Sequence, residues 1–315
     1  MKTRVAVIGC GAWGTQHARV YQELDSTELA AVCDLDEARA KTVADRYGVD
    51  AYTEYGRLLE RRDVEAVSIC TPTVTHAEVA LWAIEAGKHI LIEKPMTNLV
   101  SEAEEVIRAA EKAGVKLMVG FVERFNPAVR KTVELIKAGE IGEVILAHVR
   151  RVSRRPDRVG DVGIVKDLAI HDIDVVCQLF EDPVSEVYAI VGSIAHKFED
   201  YADILFRFGG GRSAFIETNW LTPRKVRRLV VTGTEGLINV EYITQRISIE
   251  KGTEVKEPLL ETREPLKIEL ERFSRSIQND EPPSPSGEEG LRALSLCEAV
   301  LRSAETNRPV RMGDV

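Results

Sequence analysis

The sequence has no block of like charge, no paired cysteines and no long apolar run, and each absence excludes a class of protein. The net charge is -9 without a lysine- or arginine-rich tail, so we expect no nucleic-acid partner, because such binding needs a concentrated basic face. Five cysteines without a CxxC pair favour a reduced, cytoplasmic protein. The first apolar run, Val5–Ile8, is too short for a signal peptide, and no apolar run approaches bilayer length, so we expect no membrane partner.

Short apolar runs alternate with helical patterns up to Gly120. The predicted strands are Val5–Ile8, Leu29–Cys33, Ala66–Ile69, His89–Ile92 and Lys116–Val119. The predicted helices are Trp13–Leu24, Glu37–Tyr47, His76–Ala86 and Ser101–Ala113. This alternation predicts an α/β Rossmann domain with a parallel sheet over residues 1–120.

Strand-like runs predominate after Gly120. Predicted strands are Val184–Val191, Ala202–Phe208, Ser213–Asn219, Arg228–Thr232 and Ile247–Glu250, with helices at Ala128–Ala138, Leu168–Leu179, Leu266–Gln278 and Glu288–Glu305. The pattern predicts an α+β domain with a large, mostly antiparallel sheet over residues 121–315. We expect this domain to bind substrate and to associate with further copies of the chain, as a dimer or tetramer.

A glycine pattern follows the first strand and opens the first helix. Such a loop provides a tight turn, close approach of backbone to a pyrophosphate, and close helix–strand packing. The predicted cofactor contacts here are Gly9, Gly11, Ala12, Trp13 and Gly14. Asp34 ends the second strand, where a carboxylate binds ribose hydroxyls and repels a 2′-phosphate. NAD is therefore expected rather than NADP.

The ends of the next two strands carry further candidates, because ligands of parallel sheets bind beyond the carboxyl ends of strands. Thr71 and His76 follow one strand, and Glu93-Lys94-Pro95 follows the next. Lys94 is either a proton donor or electrostatic anchor near the nicotinamide, or an ordinary surface lysine. Its position alone leaves both interpretations open.

Asp167, His171 and Asp174 share one helix face by their spacings of four and three. An aspartate beside a histidine can fix the imidazole tautomer, as a general base requires. A zinc site is a rival interpretation, although no second histidine lies close in sequence, and we expect no metal. A helix-capping aspartate with a partly buried histidine is the structural alternative.

The glycine loop, Glu93-Lys94-Pro95 and Asp167-x-x-x-His171-x-x-Asp174 together resemble the Gfo/Idh/MocA family of sugar oxidoreductases, over the whole chain. The resemblance implies that Lys94, Asp167 and His171 are catalytic, with His171 as the base and Lys94 holding the substrate hydroxyl. The cofactor contacts that it implies are Thr71, His76, Glu93 and Lys94. It also implies a last helix, about 288–305, that packs back on the first domain.

Two segments are similar to the branch of that family that oxidises the 3-hydroxyl of UDP-N-acetylglucosamine. One is Gly120-Phe121-Val122-Glu123-Arg124-Phe125-Asn126-Pro127; the other, Gly160-Asp161-Val162-Gly163-Ile164-Val165-Lys166, replaces the glycine-rich turn found in many members. The expected substrate is therefore a sugar or nucleotide sugar. The predicted substrate contacts are Arg124, Asn126, Arg154, Arg155 and Asp174.

An arginine cluster precedes the Asp167–Asp174 segment. Its members are Arg150, Arg151, Arg154, Arg155 and Arg158. The cluster either binds a nucleotide diphosphate or is a solvated strand edge, and strand alternation places Arg151 opposite Arg150 and Arg154. Trp220 either lines the same cleft or packs in the core. An inositol or other free-polyol dehydrogenase, and a non-catalytic NAD-binding regulatory protein, remain alternative functions.

Overall fold

The computed structural model describes residues 2–155 and 161–314, so Arg158 and Gly160 lie outside the described residues. The strands are β1 Thr3–Ile8, β2 Thr27–Cys33, β3 Asp50–Tyr52, β4 Ala66–Ile69, β5 His89–Glu93, β6 Leu117–Gly120, β7 Val144–Arg154, β8 Glu186–Gly192, β9 Tyr201–Arg207, β10 Ser213–Asn219, β11 Leu221–Gly233, β12 Leu237–Glu241, β13 Arg246–Lys251, β14 Glu254–Lys256 and β15 Val310–Arg311. The helices are α1 Ala12–Glu23, α2 Glu37–Tyr47, α3 Tyr55–Leu59, α4 His76–Glu85, α5 Val100–Ala113, α6 Pro127–Lys137, α7 Ile170–Cys177, α8 Pro265–Gln278 and α9 Gly287–Thr306. Across the described ranges, no helix is both long and apolar enough for a membrane span.

The chain divides into two compact units. The first comprises Met1–Phe121 and Leu266–Arg292, and the second comprises Val122–Pro265 and Ala293–Val315. The first unit contains a six-stranded parallel sheet in the order β3-β2-β1-β4-β5-β6. Residues Val5–Ile8 of β1 are buried, because helices cover both faces of such a sheet. The predicted Rossmann-type architecture is confirmed.

The first unit also contains α8, which lies within the range expected for the second domain, and the start of α9, the helix expected to pack back on the first domain. Helix α8 buries Leu266, Leu270 and Phe273, and its Ser274 hydroxyl donates to the Ser26 carbonyl at 3.1 Å. At the start of α9, a Cβ on Gly290 would lie 2.8 Å from a Val119 methyl. The missing side chain therefore permits close packing of this helix on β6.

The second unit is built on a nine-stranded sheet in the order β14-β13-β12-β11-β7-β10-β9-β8-β15. Every pairing is antiparallel except that of β7 with β10, which confirms the predicted mostly antiparallel sheet. Strand β7 carries Arg150, Arg151 and Arg154 of the arginine cluster, and Arg155 follows its end. In β11, residues Thr222 to Lys225 face the single residue Ser153, which makes a wide bulge.

Candidate active site

The glycine loop leaves an open approach to the first turn of α1. Gly9 has φ 97°, and a Cβ on Gly14 would lie 1.7 Å from the Gly9 carbonyl oxygen, so both positions require glycine. A Cβ on Gly11 would meet no atom of the described residues within 4 Å. Gly11 caps α1 without any side-chain hydrogen bond to the helix. Free backbone N–H groups and open space suit a pyrophosphate, so this loop fits a dinucleotide.

The backbone of the same loop holds the Asp34 carboxylate. Its Oδ2 accepts from the Cys10 N–H at 2.7 Å, and its Oδ1 accepts from the Asp36 N–H at 2.9 Å. Each carboxylate oxygen keeps acceptor capacity for a ribose hydroxyl. Burial raises the pKa of the Cys10 thiol to about 12, and Asp34 contributes to the rise. Cys10 is therefore a neutral thiol inside the loop.

His76 connects two of the predicted cofactor-side loops. Its ring is buried, with Nε2 2.9 Å from the Thr71 carbonyl oxygen and Nδ1 2.9 Å from the Pro95 carbonyl oxygen. Both ring nitrogens of His76, a predicted cofactor contact, therefore face protein carbonyls. The half-buried Thr71 hydroxyl accepts a hydrogen bond from Thr75 at 2.9 Å.

Glu93 is the last residue of β5 in the first unit, and Lys94 follows it. The buried Glu93 carboxylate contacts His17 Nε2 through Oε1 at 3.0 Å and accepts from the Lys94 N–H through Oε2 at 3.2 Å. Lys94 itself is half-buried. Trp13, also predicted at the cofactor, is 38% exposed at the start of α1, and its ring meets that of His17 edge-on.

The second unit carries the predicted base on a helix with an irregular start. Asp167 is buried within a π-helical turn, Val165–Ala169, which leads directly into α7 and the half-buried His171. The sequence placed the helix start at Leu168 and contained no signal for this turn. Insertions of this kind occur frequently at functional sites.

Two buried ion pairs hold α7. Asp174 makes a bidentate pair with Arg124, with atom separations of 2.6 and 2.5 Å. Asp172 makes another with Arg151, at 2.6 and 2.9 Å. Arg124 and Asp174, both predicted to contact substrate, are therefore paired with each other and orient the helix that carries His171.

Asn126, the third predicted substrate contact from this region, lies in the protein interior. Its side chain accepts from the Ala128 N–H at 3.1 Å, capping α6, and donates to the Tyr242 carbonyl at 3.0 Å. Only 3% of the residue is exposed. Its observed contacts orient the segment that carries Arg124.

The arginines of β7 separate onto two faces, as alternation predicts. Arg151 is buried and also reaches Glu123 at 2.8 Å. Burial would lower the pKa of Arg151, but Asp172 and Glu123 raise it well above its usual value. Arg150 lies on the opposite face and pairs with Glu217 at 2.9 Å. These two arginines therefore already have carboxylate partners.

Arg154 and Arg155, the two cations of the cluster predicted to bind substrate, lie at the end of β7. Arg154 is exposed, and half-buried Arg155 lies 3.3 Å from His196 Nδ1 and over the Trp220 ring at 5.9 Å. Trp220 is 3% exposed, so its indole is a core side chain. The β11 bulge adds exposed Arg224 and Lys225. Sequence reasoning did not identify these two as site residues, because a bulge interrupts the strand period that would align them with Arg154.

The described residues, 2–155 and 161–314, contain no group of three or more His, Cys, Asp or Glu side chains arranged for a metal ion. The glycine loop of the first unit is the candidate site for an organic cofactor. Its fit to a dinucleotide rests on the uncapped helix terminus and the space beside Gly11.

Comparisons with known proteins find similarity in both units of the chain. Residues 3–121 match the family model described as oxidoreductase family, NAD-binding Rossmann fold, and residues 129–239 match the GFO/IDH/MocA C-terminal domain. The chain is 32% identical to myo-inositol 2-dehydrogenase of Thermotoga maritima, covering 99% of each chain. It is 30% identical to a D-xylose 1-dehydrogenase (NADP(+)) of Haloferax volcanii, over 97% of this chain and 98% of that one.

A solved structure extends the similarity. UDP-N-acetylglucosamine 3-dehydrogenase GnnA from Acidithiobacillus ferrooxidans superposes with a TM-score of 0.90 at 28% identity, covering 97% of this chain and 99% of that one. The family models together match well over half of the chain. This chain is therefore a member of the Gfo/Idh/MocA family of oxidoreductases.

Proposed function

We propose that this chain is an NAD-dependent dehydrogenase that oxidises the 3-hydroxyl of UDP-N-acetylglucosamine to a ketone. Membership of the family makes it an oxidoreductase that acts on a sugar or polyol CH–OH group. The choice of a nucleotide sugar rests on one observation, the exposed and half-buried cations where the end of β7 meets the β11 bulge. We call these cations, Arg154, Arg155, Arg224 and Lys225, the basic bulge.

The cofactor assignment rests on the glycine loop and on Asp34. The loop backbone from Gly9 to Gly14 would hold the pyrophosphate, and Asp34 would bind the adenosine ribose. A 2′-phosphate would meet the Asp34 carboxylate, which favours NAD over NADP. When bound there, NAD accepts the hydride that leaves the carbinol carbon.

The residues of the chain supply the proton chemistry. We assign His171 as the base that takes the hydroxyl proton while the hydride leaves carbon, so that the C–O single bond becomes a carbonyl. Asp167, four residues before it, supports the imidazolium that forms. The Lys94 ammonium stabilises negative charge on the substrate oxygen. One proton and one hydride leave the alcohol, and a ketone remains.

The basic bulge suits a diphosphate. Arginine forks match phosphate oxygens in pairs of hydrogen bonds, and the cations at this end of the sheet come from two neighbouring strands. A free polyol has no phosphate for them to bind. The similarity to GnnA at 28% identity supports the same substrate class.

A free polyol such as inositol is the second candidate, favoured by the 32% identity to myo-inositol 2-dehydrogenase. It requires the same Lys94 and His171 chemistry but makes no use of the basic bulge. A non-catalytic NAD-binding protein would need neither feature. Turnover and the kinetics of bulge variants therefore separate the three.

Two sets of variants test the proposal. His171→Ala and Lys94→Met should lose most turnover while NAD still binds, as measured by quenching of tryptophan fluorescence. Near-normal turnover in either variant removes that residue from the mechanism. Arg154→Gln with Arg224→Gln should raise KM for UDP-N-acetylglucosamine by about tenfold or more, since each lost charged hydrogen bond costs about 1.5–3 kcal/mol.

Arg246→Gln, an exposed position on β13 of the same sheet, is the matched control and should leave KM unchanged. An unchanged KM in the double bulge variant would contradict the assignment of the diphosphate to this surface.

We also propose that the chain forms a homo-oligomer through the open face of the nine-stranded sheet. Four partly exposed apolar side chains lie on that face, Tyr188, Ile190, Leu205 and Phe215. Four charged residues form a row beside them on neighbouring strands. Asp203 lies opposite Glu217, Glu217 lies opposite Arg150, and Arg150 lies opposite Arg228.

When two copies of the sheet pack face to face about a twofold axis, Asp203 and Glu217 of one copy can face Arg150 and Arg228 of the other. Sedimentation should show a dimer or tetramer that Phe215→Asp dissociates. A monomeric wild-type chain would exclude this interface.

A further inference from the structure

The Glu93 carboxylate is enclosed on three sides in the first unit. His17 Nε2 lies 3.0 Å from Oε1, and neither residue is more than 7% exposed. The Lys94 N–H donates to Oε2 at 3.2 Å. A Cβ on Gly120 would lie 2.6 Å from Oε1. The carboxylate therefore has little freedom to move, and the backbone of Lys94 is bound to it.

A second carboxyl lies close enough to interact with Glu93. Glu269 of α8 is fully buried, and burial together with the Glu93 charge raises its pKa well above the usual range. The raised pKa favours the protonated, neutral form of Glu269. Glu93 is the member of this pair that His17 faces, at 3.0 Å.

His76 holds the other side of Lys94. Its Nδ1 faces the Pro95 carbonyl oxygen and its Nε2 faces the Thr71 carbonyl oxygen, both at 2.9 Å. Carbonyl oxygens only accept hydrogen bonds, so both contacts are hydrogen bonds when the ring carries two protons. His76 thereby joins the start of α4 to the residue after Lys94.

We infer that His17 and His76 are positioning residues that hold Lys94 from its two sides, His17 through Glu93 and His76 through Pro95. The two histidines come from α1 and α4, and neither contacts Lys94 by these bonds. A site lysine needs placement within a fraction of an ångström to act on a substrate oxygen. This inference rests on the proposed function for the catalytic role of Lys94, but the placement itself can be measured without substrate.

The first experiment measures the placement of Lys94 in the full-length protein without substrate. Trace acetylation with acetic anhydride, followed by peptide mass spectrometry, gives the labelling rate of Lys94 relative to exposed Lys41 and Lys112. His17→Phe keeps a ring but removes the donor to Glu93, whereas His17→Gln keeps an amide donor. We expect the relative labelling of Lys94 to rise in His17→Phe and to return toward the wild-type value in His17→Gln.

Three further variants complete the set. His76→Gln retains at most one of the two hydrogen bonds and should also raise the labelling of Lys94. Gly120→Ala displaces Glu93 without altering either histidine and should do the same. His89→Gln is the matched control: His89 begins the strand that ends in Glu93 and accepts from the Lys116 N–H, so Lys94 should label as in the wild type.

The second readout is kinetic. In His17→Phe and His76→Gln, kcat should fall by about 100-fold, the loss expected for misplacement by about an ångström, while the Kd for NAD stays within about threefold. Wild-type labelling of Lys94 in folded His17→Phe, His76→Gln and Gly120→Ala would overturn the inference. If His17→Phe does not fold, Gly120→Ala and His76→Gln decide it. Altered labelling without turnover on any sugar would instead retain the placement and refute the proposed function.

Discussion

Replacing Glu269 with glutamine should change how the stability of the protein depends on pH. Within the described ranges, neither carboxylate oxygen of Glu269 has a hydrogen-bond partner, and the side chain is fully buried on α8. Burial raises its pKa well above the usual range, and the Glu93 charge adds to the rise. The folded protein therefore holds a proton on Glu269 that the unfolded chain releases above its pKa of about 4.3.

The sign and size of the effect follow from proton linkage. Because the folded state binds the extra proton, its stabilising contribution is fully present below about pH 4.3 and declines as the pH rises toward the folded pKa. The decline is about 1.4 kcal/mol of unfolding free energy per pH unit for one proton. Glu269→Gln has no proton to bind, so its stability relative to the wild type should increase as the pH rises above about 4.3, by up to about 1.4 kcal/mol per pH unit.

Urea unfolding followed by tryptophan fluorescence measures this difference, since Trp13 and Trp82 both lie in the first unit with Glu269. The comparison uses the slope against pH, so a constant penalty from burying the amide does not affect it. Glu271→Gln, on the same helix but only partly buried, controls for the loss of one titratable carboxyl from the chain. Parallel pH profiles for the wild type and Glu269→Gln would refute a neutral buried carboxyl.

Three further predictions concern other groups. Arg151→Met should destabilise the second unit by about 3–5 kcal/mol, because it leaves the Asp172 carboxylate buried without its arginine partner, while Glu123 keeps its contact with Arg227; an unchanged urea midpoint would contradict this. Cys10, with a thiol pKa of about 12 caused chiefly by burial, should resist iodoacetamide at pH 8 in the folded protein, and rapid labelling detected by mass spectrometry would count against it. Asp34→Ser should lower the preference for NAD over NADP in kcat/KM by about tenfold or more, since it removes the carboxylate that repels a 2′-phosphate; an unchanged preference would rule out this role.

Local patterns predicted most of the first unit. The apolar run before the glycines forms β1, and the helix begins at Ala12, because turn, strand and helix signals there act over a few residues. Strand β3, only three residues long and largely exposed, escaped prediction because it lacks an apolar pattern. The helix α8 resembled the others in sequence, and its assignment to the first unit depends on long-range packing that no local pattern contains.

The second unit shows where sequence patterns stop being informative. Strand β11 begins at Leu221, seven residues before the predicted Arg228, because its first half is exposed and basic and contains a bulge. The pairing of Arg124 with Asp174 joins residues fifty positions apart. Each residue type suited a substrate contact, but only the fold shows that they contact each other.

The most direct test of the proposed function is NADH formation, followed by absorbance, when the purified protein is given NAD with UDP-N-acetylglucosamine, other UDP-sugars or myo-inositol. We expect turnover with UDP-N-acetylglucosamine and a product with a carbonyl at C3, identified by NMR. Turnover of myo-inositol without turnover of any UDP-sugar would contradict it.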